Sequence, residues 1–400
     1  MPAWLPSWVT PQLITSLLVI FIVLNTIAVG ALYLILLERR VAAWIQDRCG
    51  PNRVGKWGLL QPIADTIKLL VKEEYIPKRA DRVLFLLAPG LTVIPALISF
   101  AVIPWAGTLE IAGEAVAVAG ANVNIGIVYL VAVTSLGVYG VVLGGWASNS
   151  KYAFLGSLRA AAQMVSYEIP MGLAILTMIL LAGTVRPVEM VAQQIEGQWF
   201  ILHQPVAALL FMTCMLAEAN RLPFDLAEAE SELVGGWHTE YSSLKWAFFF
   251  MGEYGHIMIG SAFFVVMFLG GWSINPFTGA DLGMTGGLAV ILLQVGVVCG
   301  KVLALVGLVM ALRWTLPRFR YDQLMRLAWE GMIPTAMLML LVTAVFVFLG
   351  LDSEGLMWIG SLGVIILIWL GRPLIARKTA PNHRVGLRGS RFSPEEAIDS

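Results

Sequence analysis

Long apolar segments recur along the chain, and shorter segments between them carry most of the charge. The first, Leu13 to Leu37, holds 25 residues without a charged side chain. As a helix it would cross a hydrocarbon core of about 30 Å. The pattern predicts an all-α polytopic membrane protein with about nine transmembrane helices. The apolar windows are 13–37, 83–104, 125–146, 169–185, 199–217, 246–271, 288–312, 331–351 and 355–371.

Composition agrees with this class, because 58% of the residues are hydrophobic, 13% are charged and the mean hydropathy is +0.80. A soluble domain of this length would carry more charge. We therefore expect one integral membrane domain over residues 1–372 and a cytoplasmic tail over 373–400. The first apolar run is too long for a cleaved signal peptide, so we expect the N-terminus to be retained. No internal repeat is evident.

Basic residues indicate the orientation of the spans. If the N-terminus faces outward, the cytoplasmic segments hold 24 of the 26 Lys and Arg residues. The other two are Arg186, in an outer loop, and Lys301, inside the seventh window. We therefore predict an external N-terminus and a cytoplasmic C-terminus. The cytoplasmic segments are 38–82, 147–165, 218–245, 313–329 and the tail from 372.

The segment "CGPNRVGKWG", residues 49–58, matches the glycine and lysine positions of a phosphate-binding loop. Trp57 occupies the position where that loop needs Ser or Thr, and Pro51 removes a backbone donor. The segment also follows a membrane helix instead of a buried strand. A nucleotide site is therefore not expected here.

The next segment, "LLQPIADTIKLLVKEE", predicts an amphipathic helix in the membrane interface. Asp65, Lys68 and Lys72 share one face at helical spacing. Either this helix is a solvated anchor, or it is the floor of a site that opens at the membrane surface. Its apolar positions are Leu59, Leu60, Ile63, Ile67, Leu70 and Val71.

The connection after the fifth window is acidic on the side where loops should be basic, with Arg221 as its one cation before residue 240. Clustered carboxylates repel one another, so some can hold protons at neutral pH and relay them. The alternative is an exposed acidic loop that binds a basic protein partner. Its acids are Glu218, Asp225, Glu228, Glu230, Glu232 and Glu240.

Three ionisable residues fall in or at the ends of apolar windows. Glu168 enters the fourth window, Glu253 lies in the sixth with His256 three residues later, and Lys301 lies in the seventh. A charge at a helix centre costs about 2.5 to 3.5 kcal/mol on insertion scales, which favours a functional role. A purely structural Glu–Lys pair is the alternative.

No redox cofactor is expected in this chain. Its three cysteines are scattered without a C-x-x-C motif, and His256 is the one histidine clearly inside a span. Zinc, iron–sulfur and haem sites need closer or paired ligands.

Five segments carry a resemblance to a known family. They are "LERR", "GPNRVGKWGLLQPIADTIKLLVKEE", "GGWASNSKYAFLGSLRAAAQMVSYEIP", "AEANRLPFDLAEAESELVGGWHTEYSSLKWAFFFMGEY" and "RWTLPRFRYDQLM". In order and spacing they resemble the H subunit of bacterial respiratory complex I, the proton-translocating NADH:quinone oxidoreductase. The resemblance covers roughly residues 10–350.

The resemblance implies a multi-pass subunit of the bacterial cytoplasmic membrane that forms much of the quinone chamber. Quinone would be a substrate, while FMN, iron–sulfur clusters, haem and metal would not bind this chain. Its implied partners are the peripheral quinone-site and terminal iron–sulfur subunits, adjacent membrane-arm subunits and lipid, but no nucleic acid. The implied chamber residues are Glu38, Arg39, Arg48, Asp65, Glu218 and Arg221. The implied proton-coupling residues are Glu168, Glu218, Glu228, Glu230, Glu232, Glu253 and Lys301.

The chain departs from the family pattern at several positions. Ser135 stands where some members have glutamate, and Ala227 replaces a common proline. Residues 352–400 extend beyond the minimal pattern. Two alternatives stay open: the homologous membrane anchor of an energy-converting hydrogenase, and a stand-alone secondary transporter.

Overall fold

Helices occupy each of the nine predicted apolar windows. The computed structural model describes residues 10–111, 114–226, 234–277, 282–350 and 354–371. Within these residues, seven helical segments are long and apolar enough to cross a membrane, and two of them, Gly126–Ala147 and Tyr321–Phe348, consist of consecutive helices. The other two windows hold the shorter apolar helices Pro205–Glu218 and Leu356–Ile368. The helical membrane class is therefore confirmed, and length supports seven of the predicted spans.

Fourteen α-helices are described, and short turns extend some of them. Phe100–Val102 continues the third helix, and the π-helical segment Leu327–Met332 joins the twelfth to the thirteenth. The helices are α1 Pro11–Ile45, α2 Gln61–Val71, α3 Arg82–Ser99, α4 Gly126–Ser135, α5 Gly137–Ala147, α6 Lys151–Ala182, α7 Pro187–Glu196, α8 Phe200–His203, α9 Pro205–Glu218, α10 Ser243–Phe268, α11 Leu288–Thr315, α12 Tyr321–Arg326, α13 Ile333–Phe348 and α14 Glu354–Gly371.

A proline breaks the fifth predicted window into two helices. Helix α8 ends at His203 and α9 begins at Pro205, whose missing N–H is tolerated at the first helical position. The 14 residues of α9 rise about 21 Å, which is less than a full hydrocarbon core.

Another proline lies inside α3, where Pro89 removes the backbone donor that would bond the Phe85 carbonyl. The hydroxyl of Tyr241 donates to that carbonyl over 3.2 Å. The side chain thus satisfies the acceptor that the proline frees, as apolar surroundings require.

A small sheet, which the sequence analysis did not predict, joins two connections that were predicted to lie outside. Strands β1 (Pro104–Ile111) and β2 (Glu114–Ala119) pair antiparallel, and β3 (Thr285–Gly286) adds to β1 in parallel. Gln12 on α1 satisfies the free edge of β2, since its side chain both donates to and accepts from the Ala117 backbone at 3.3 and 3.0 Å. The sheet is local and leaves the helical class unchanged.

Connections that were predicted to share a membrane side lie at the same end of the bundle. At the predicted cytoplasmic end, the Asp81 N–H bonds the Ala147 carbonyl over 3.1 Å. At the other end, the Thr108 N–H bonds the Met284 carbonyl over 2.7 Å. Charged side chains from several helices meet at the first of these ends.

Candidate functional site

Three charged side chains that are far apart in sequence meet near the predicted cytoplasmic end. Nη2 of Arg221, which follows α9, lies 3.1 Å from Oε2 of Glu253 on α10. Nη1 of the same arginine lies 3.9 Å from Oε2 of Glu38 on α1. Arg221 is only 4% exposed. The structure therefore brings together three of the predicted site residues in a buried cluster.

Glu38 has two further partners that the sequence analysis did not single out. Arg313, near the end of α11, forms an ion pair and hydrogen bond with Glu38. The hydroxyl of Tyr254 donates to the other oxygen of the carboxylate. Both residues had a sequence signal, because Arg313 begins one of the segments that carry the resemblance and Tyr254 follows Glu253 directly.

Two aromatic rings cover Arg221. Its guanidinium carbon lies 4.4 Å from the centroid of Tyr254 and 5.2 Å from that of Phe250. Such contacts stabilise a cation in a site with little water. Since buried charges are costly unless they are paired, the alternation of Arg and Glu explains how this cluster stays buried. We name Glu38, Arg221, Glu253, Tyr254 and Arg313 the buried charge cluster.

A second ion pair extends the charges toward the acidic connection. Nη2 of Arg318 lies 3.4 Å from Oδ2 of Asp225. Burial raises the pKa of the Asp225 carboxyl, and the positive charge of Arg318 opposes this rise. Phe319 and Phe224 stack nearby with ring centroids 5.6 Å apart. This carboxyl is therefore held in an environment that favours retention of its proton.

The predicted interfacial helix is present as α2, and an ion pair joins it to α1. Nη1 of Arg39 lies 2.8 Å from Oδ2 of Asp65, and Nζ of Lys68 lies 3.6 Å from the other oxygen. Gln61 also donates to Asp65 over 3.1 Å. The opposite apolar face is open: Ile63, Ile67 and Leu70 are exposed. The prediction of an amphipathic helix is confirmed.

The end of α2 is attached to the segment that returns from the acidic connection. The Ser243 hydroxyl lies 2.7 Å from the Leu69 carbonyl, which it can satisfy as a donor. Nζ of Lys245 lies 3.3 Å from a carboxylate oxygen of Glu74. A movement of either segment would therefore displace the other.

The glycine-rich turn before α2 folds back on the chain instead of opening to a ligand. Gly58 has φ +71°, and a Cβ there would lie 2.2 Å from the Pro51 carbonyl oxygen. Arg40 on α1 donates to the Trp57 carbonyl. The turn thus positions α2 against α1, which agrees with the rejection of a nucleotide site.

Arg48 lies apart from the buried charge cluster. It is exposed, and its Nε donates to the Gln46 side chain over 2.7 Å. Arg39 and Asp65 are likewise outside the cluster, in the more exposed contact between α1 and α2. The predicted chamber residues therefore form a buried group and a peripheral group.

Lys301 does not pair with Glu253. Its ammonium donates to the carbonyls of Leu269, Gly271 and Ser273 at 2.5, 2.9 and 2.5 Å, at the C-terminal end of α10. Leu269 is 16 residues beyond Glu253, or about 24 Å along a helix. Carbonyls at a helix end attract a cation. The alternative of a purely structural Glu253–Lys301 pair does not fit this geometry.

Glu168 and Glu218 form a second acidic group. Glu218 ends α9 close enough to Glu168 on α6 for the two carboxyl groups to repel each other. Ser135 is within hydrogen-bonding reach of Glu168. Ser135 thus lies beside the Glu168–Glu218 group. Three further predicted acids, Glu228, Glu230 and Glu232, lie outside the described residues.

Among the described residues, no group of three or more His, Cys, Asp or Glu side chains could hold a metal ion. The polar groups that do meet are carboxylates paired with guanidinium groups or with each other. Such an arrangement can bind a polar head group, hold protons and pass them on.

Comparison with known proteins assigns the chain to a family. The NADH dehydrogenase family matches residues 17–344. An NADH-quinone oxidoreductase H subunit of Geobacter sulfurreducens is 47% identical over 82% of this chain and 93% of its own length. An H subunit of Geobacter metallireducens is 46% identical over 82% and 94%, and one of Cytophaga hutchinsonii is 44% identical over 84% and 98%. The chain therefore belongs to the family of the membrane-embedded H subunit of NADH-quinone oxidoreductase.

Proposed function

We propose that this chain forms much of the quinone chamber of its complex and carries the first steps that couple quinone reduction to proton translocation. The observation that supports this most is the buried charge cluster, in which Glu38, Arg221 and Glu253 meet at one end of a membrane bundle. Charges are buried there at considerable cost, which favours a functional role.

The chemistry of quinone suits such a place. A lipid-soluble quinone needs an apolar route from the bilayer, and its reduction to quinol takes up two electrons and two protons. The exposed apolar face of α2, with Ile63, Ile67 and Leu70, lies on the opposite side of that helix from the Arg39–Asp65 contact. We propose that quinone enters along this face. Glu38, Arg39, Arg48, Asp65, Glu218 and Arg221 are the proposed chamber residues.

Protons would then reach the membrane interior through a series of acids. The proposed residues are Glu168, Glu218, Glu228, Glu230, Glu232 and Glu253. Lys301 on α11 stays in the proposal as a cation of this series, although its ammonium binds the end of α10 that is far from Glu253. Reduction of quinone changes the local charge, and nearby carboxyl groups respond by taking up or releasing protons.

The proposed setting is the bacterial cytoplasmic membrane, with the N-terminus outside and the C-terminus in the cytoplasm. Peripheral quinone-site and iron–sulfur subunits would supply the electrons, and adjacent membrane-arm subunits would complete the proton path. No FMN, iron–sulfur cluster, haem or metal is assigned to this chain.

Substitution of Arg221 tests the proposal. In the assembled complex, Arg221→Ala should lower NADH:quinone activity by at least tenfold and raise the KM for quinone. Electron transfer from NADH to an artificial acceptor should stay within twofold, since that reaction ends before the quinone site. Equal losses of both activities in intact complex would contradict a role in the quinone chamber.

A further inference from the structure

A small cavity, mostly apolar but with a few polar side chains in its lining, lies between α4, α9 and α10. Its volume is about 20 Å³, and Thr134, Glu218 and His256 contribute its polar side chains. The rest of its lining is apolar, including Phe211 and Phe263. A cavity of this size holds about one water molecule, which needs polar partners to stay there.

One ring nitrogen of His256 has no hydrogen-bond partner among the described residues. The residue is 8% exposed, and its ring hydrogen-bonds the Thr92 backbone on α3. Its Nε2 has no hydrogen-bond partner among the described residues. Because one ring nitrogen donates to Thr92, the neutral ring presents a lone pair at Nε2.

The backbone makes room for this nitrogen. A Cβ at Gly137, the first residue of α5, would lie 2.8 Å from Nε2 of His256. Any larger residue there would press on the ring. The break between α4 and α5 at Leu136 places this glycine beside the histidine. Glycine at this position therefore lets the His256 ring pack against the break between the two helices.

We infer that a water molecule in this cavity links Glu218 to Nε2 of His256, and that His256 accepts a proton from Glu218 through it. The O–H bond of the Glu218 carboxyl breaks as water takes its proton, and water passes another proton to Nε2. The products are a carboxylate and an imidazolium, and no group is oxidised or reduced. This inference rests on the proposed function, and it adds a histidine to the series of acids.

The surroundings contain the charged groups that such a transfer needs. Glu218 on α9 lines the same cavity as His256, and Glu253 precedes His256 by one turn on α10. The other elements at the ring contribute Thr92, Thr134 and Gly137, which do not titrate. The two carboxylates are therefore the groups that would stabilise an imidazolium here.

The test uses His256→Gln and His256→Leu in the intact membrane-bound complex. Glutamine can keep the water but cannot take its proton, so both variants should lower proton translocation and quinone reduction, each by roughly tenfold. The KM for quinone should stay within twofold. The solvent deuterium isotope effect on quinone reduction should rise in His256→Gln, because proton transfer becomes slower than the other steps.

His203→Gln is the matched control, since His203 is also 8% exposed but lies on α8, where its Nδ1 is 3.4 Å from the Trp199 carbonyl. This control should keep the normal rate and isotope effect. Gly137→Ala, which crowds Nε2, should impair turnover like the His256 variants. If His256→Leu does not assemble, His256→Gln and Gly137→Ala decide the test.

Normal turnover and translocation in assembled His256→Gln would overturn the inference. If Arg221→Ala were impaired in that same series, the proposed quinone chamber would stand and the histidine relay alone would fail. If Arg221→Ala were also normal, the proposed function itself would fail.

Discussion

Arg221 forms an ion pair with Glu253 at 3.1 Å and faces Glu38 at 3.9 Å, so one buried guanidinium lies between carboxylates from two different helices. Its segment follows α9, while Glu38 belongs to α1 and Glu253 to α10. The arginine thus joins three parts of the chain that would otherwise place negative charges side by side.

Loss of this arginine should destabilise the protein more than loss of either carboxylate. Removing one partner of a buried pair costs about 3 to 5 kcal/mol, because the other charge is left uncompensated. Arg221→Gln removes the cation beside both Glu253 and Glu38, although Arg313 stays with Glu38, whereas Glu253→Gln leaves Arg221 facing Glu38. We expect the fraction of intact complex after heating to fall further in Arg221→Gln. The double variant Arg221→Gln/Glu253→Gln should lose less heat resistance than the sum of the losses in the two single variants. Additive losses would contradict direct pairing.

The peripheral pair of Arg39 and Asp65 should affect function without affecting stability. An exposed ion pair contributes about 0 to 1 kcal/mol, so its removal should leave assembly unchanged. Asp65→Ala should still lower quinone reduction by about threefold or more relative to NADH oxidation by an artificial acceptor, since α2 loses its anchor on α1. Lys56→Ala, an exposed change in the same connection, serves as the control. Equal rates in Asp65→Ala and the control would remove Asp65 from the chamber.

The apolar windows predicted the helices because a backbone in lipid must satisfy its own hydrogen bonds. The same periodicity could not show which helices face one another. Glu253 and Lys301 both lie in spans, and their opposite charges suggested a pair, but they bind at different ends of α10. Pairing depends on helix packing, which a single sequence does not contain.

The outer sheet was missed for a related reason. The sequence of β2, Glu114–Ala119, places β-branched Val at alternate positions, and Val favours strands. Small apolar residues between two membrane spans also fit a simple loop. What fixes the strand is its antiparallel pairing with β1 and the contact of Ala117 with Gln12, which are 105 positions apart.

A native cysteine offers a test of the membrane orientation. Cys49 is exposed in the connection between α1 and α2, whereas Cys214 is buried. In a variant that keeps only Cys49, we expect an impermeant thiol reagent to label inverted vesicles but not intact cells. A cysteine introduced at Arg388 should behave in the same way. Labelling of either position from outside intact cells would reverse the predicted orientation.

Lys301 should stabilise the outer end of α10. Lys301→Met would leave the carbonyls of Leu269, Gly271 and Ser273 without this donor, at a cost of about 1 to 3 kcal/mol per unsatisfied buried group. We expect faster loss of intact complex on heating. Lys301→Arg should be less affected because it keeps a cation there. Normal heat resistance with lost translocation would instead assign Lys301 to proton coupling alone.

Glu253 provides the most direct test of coupling, because it joins the buried charge cluster to the interior of a span. Glu253→Gln nearly keeps the shape of the side chain and removes its charge, while Arg221 retains Glu38 as a partner. If Glu253 must exchange a proton during turnover, quinone reduction and proton translocation should fall together, by roughly tenfold or more. Glu253→Asp should recover part of both because it can still titrate. The rates should be measured in vesicles and normalised to the amount of intact complex.

Glu228→Gln, in the acidic connection, should show the same joint loss, and Glu110→Gln, in strand β1, should show none. Full turnover and full translocation in Glu253→Gln would leave that carboxylate with the structural task of holding Arg221.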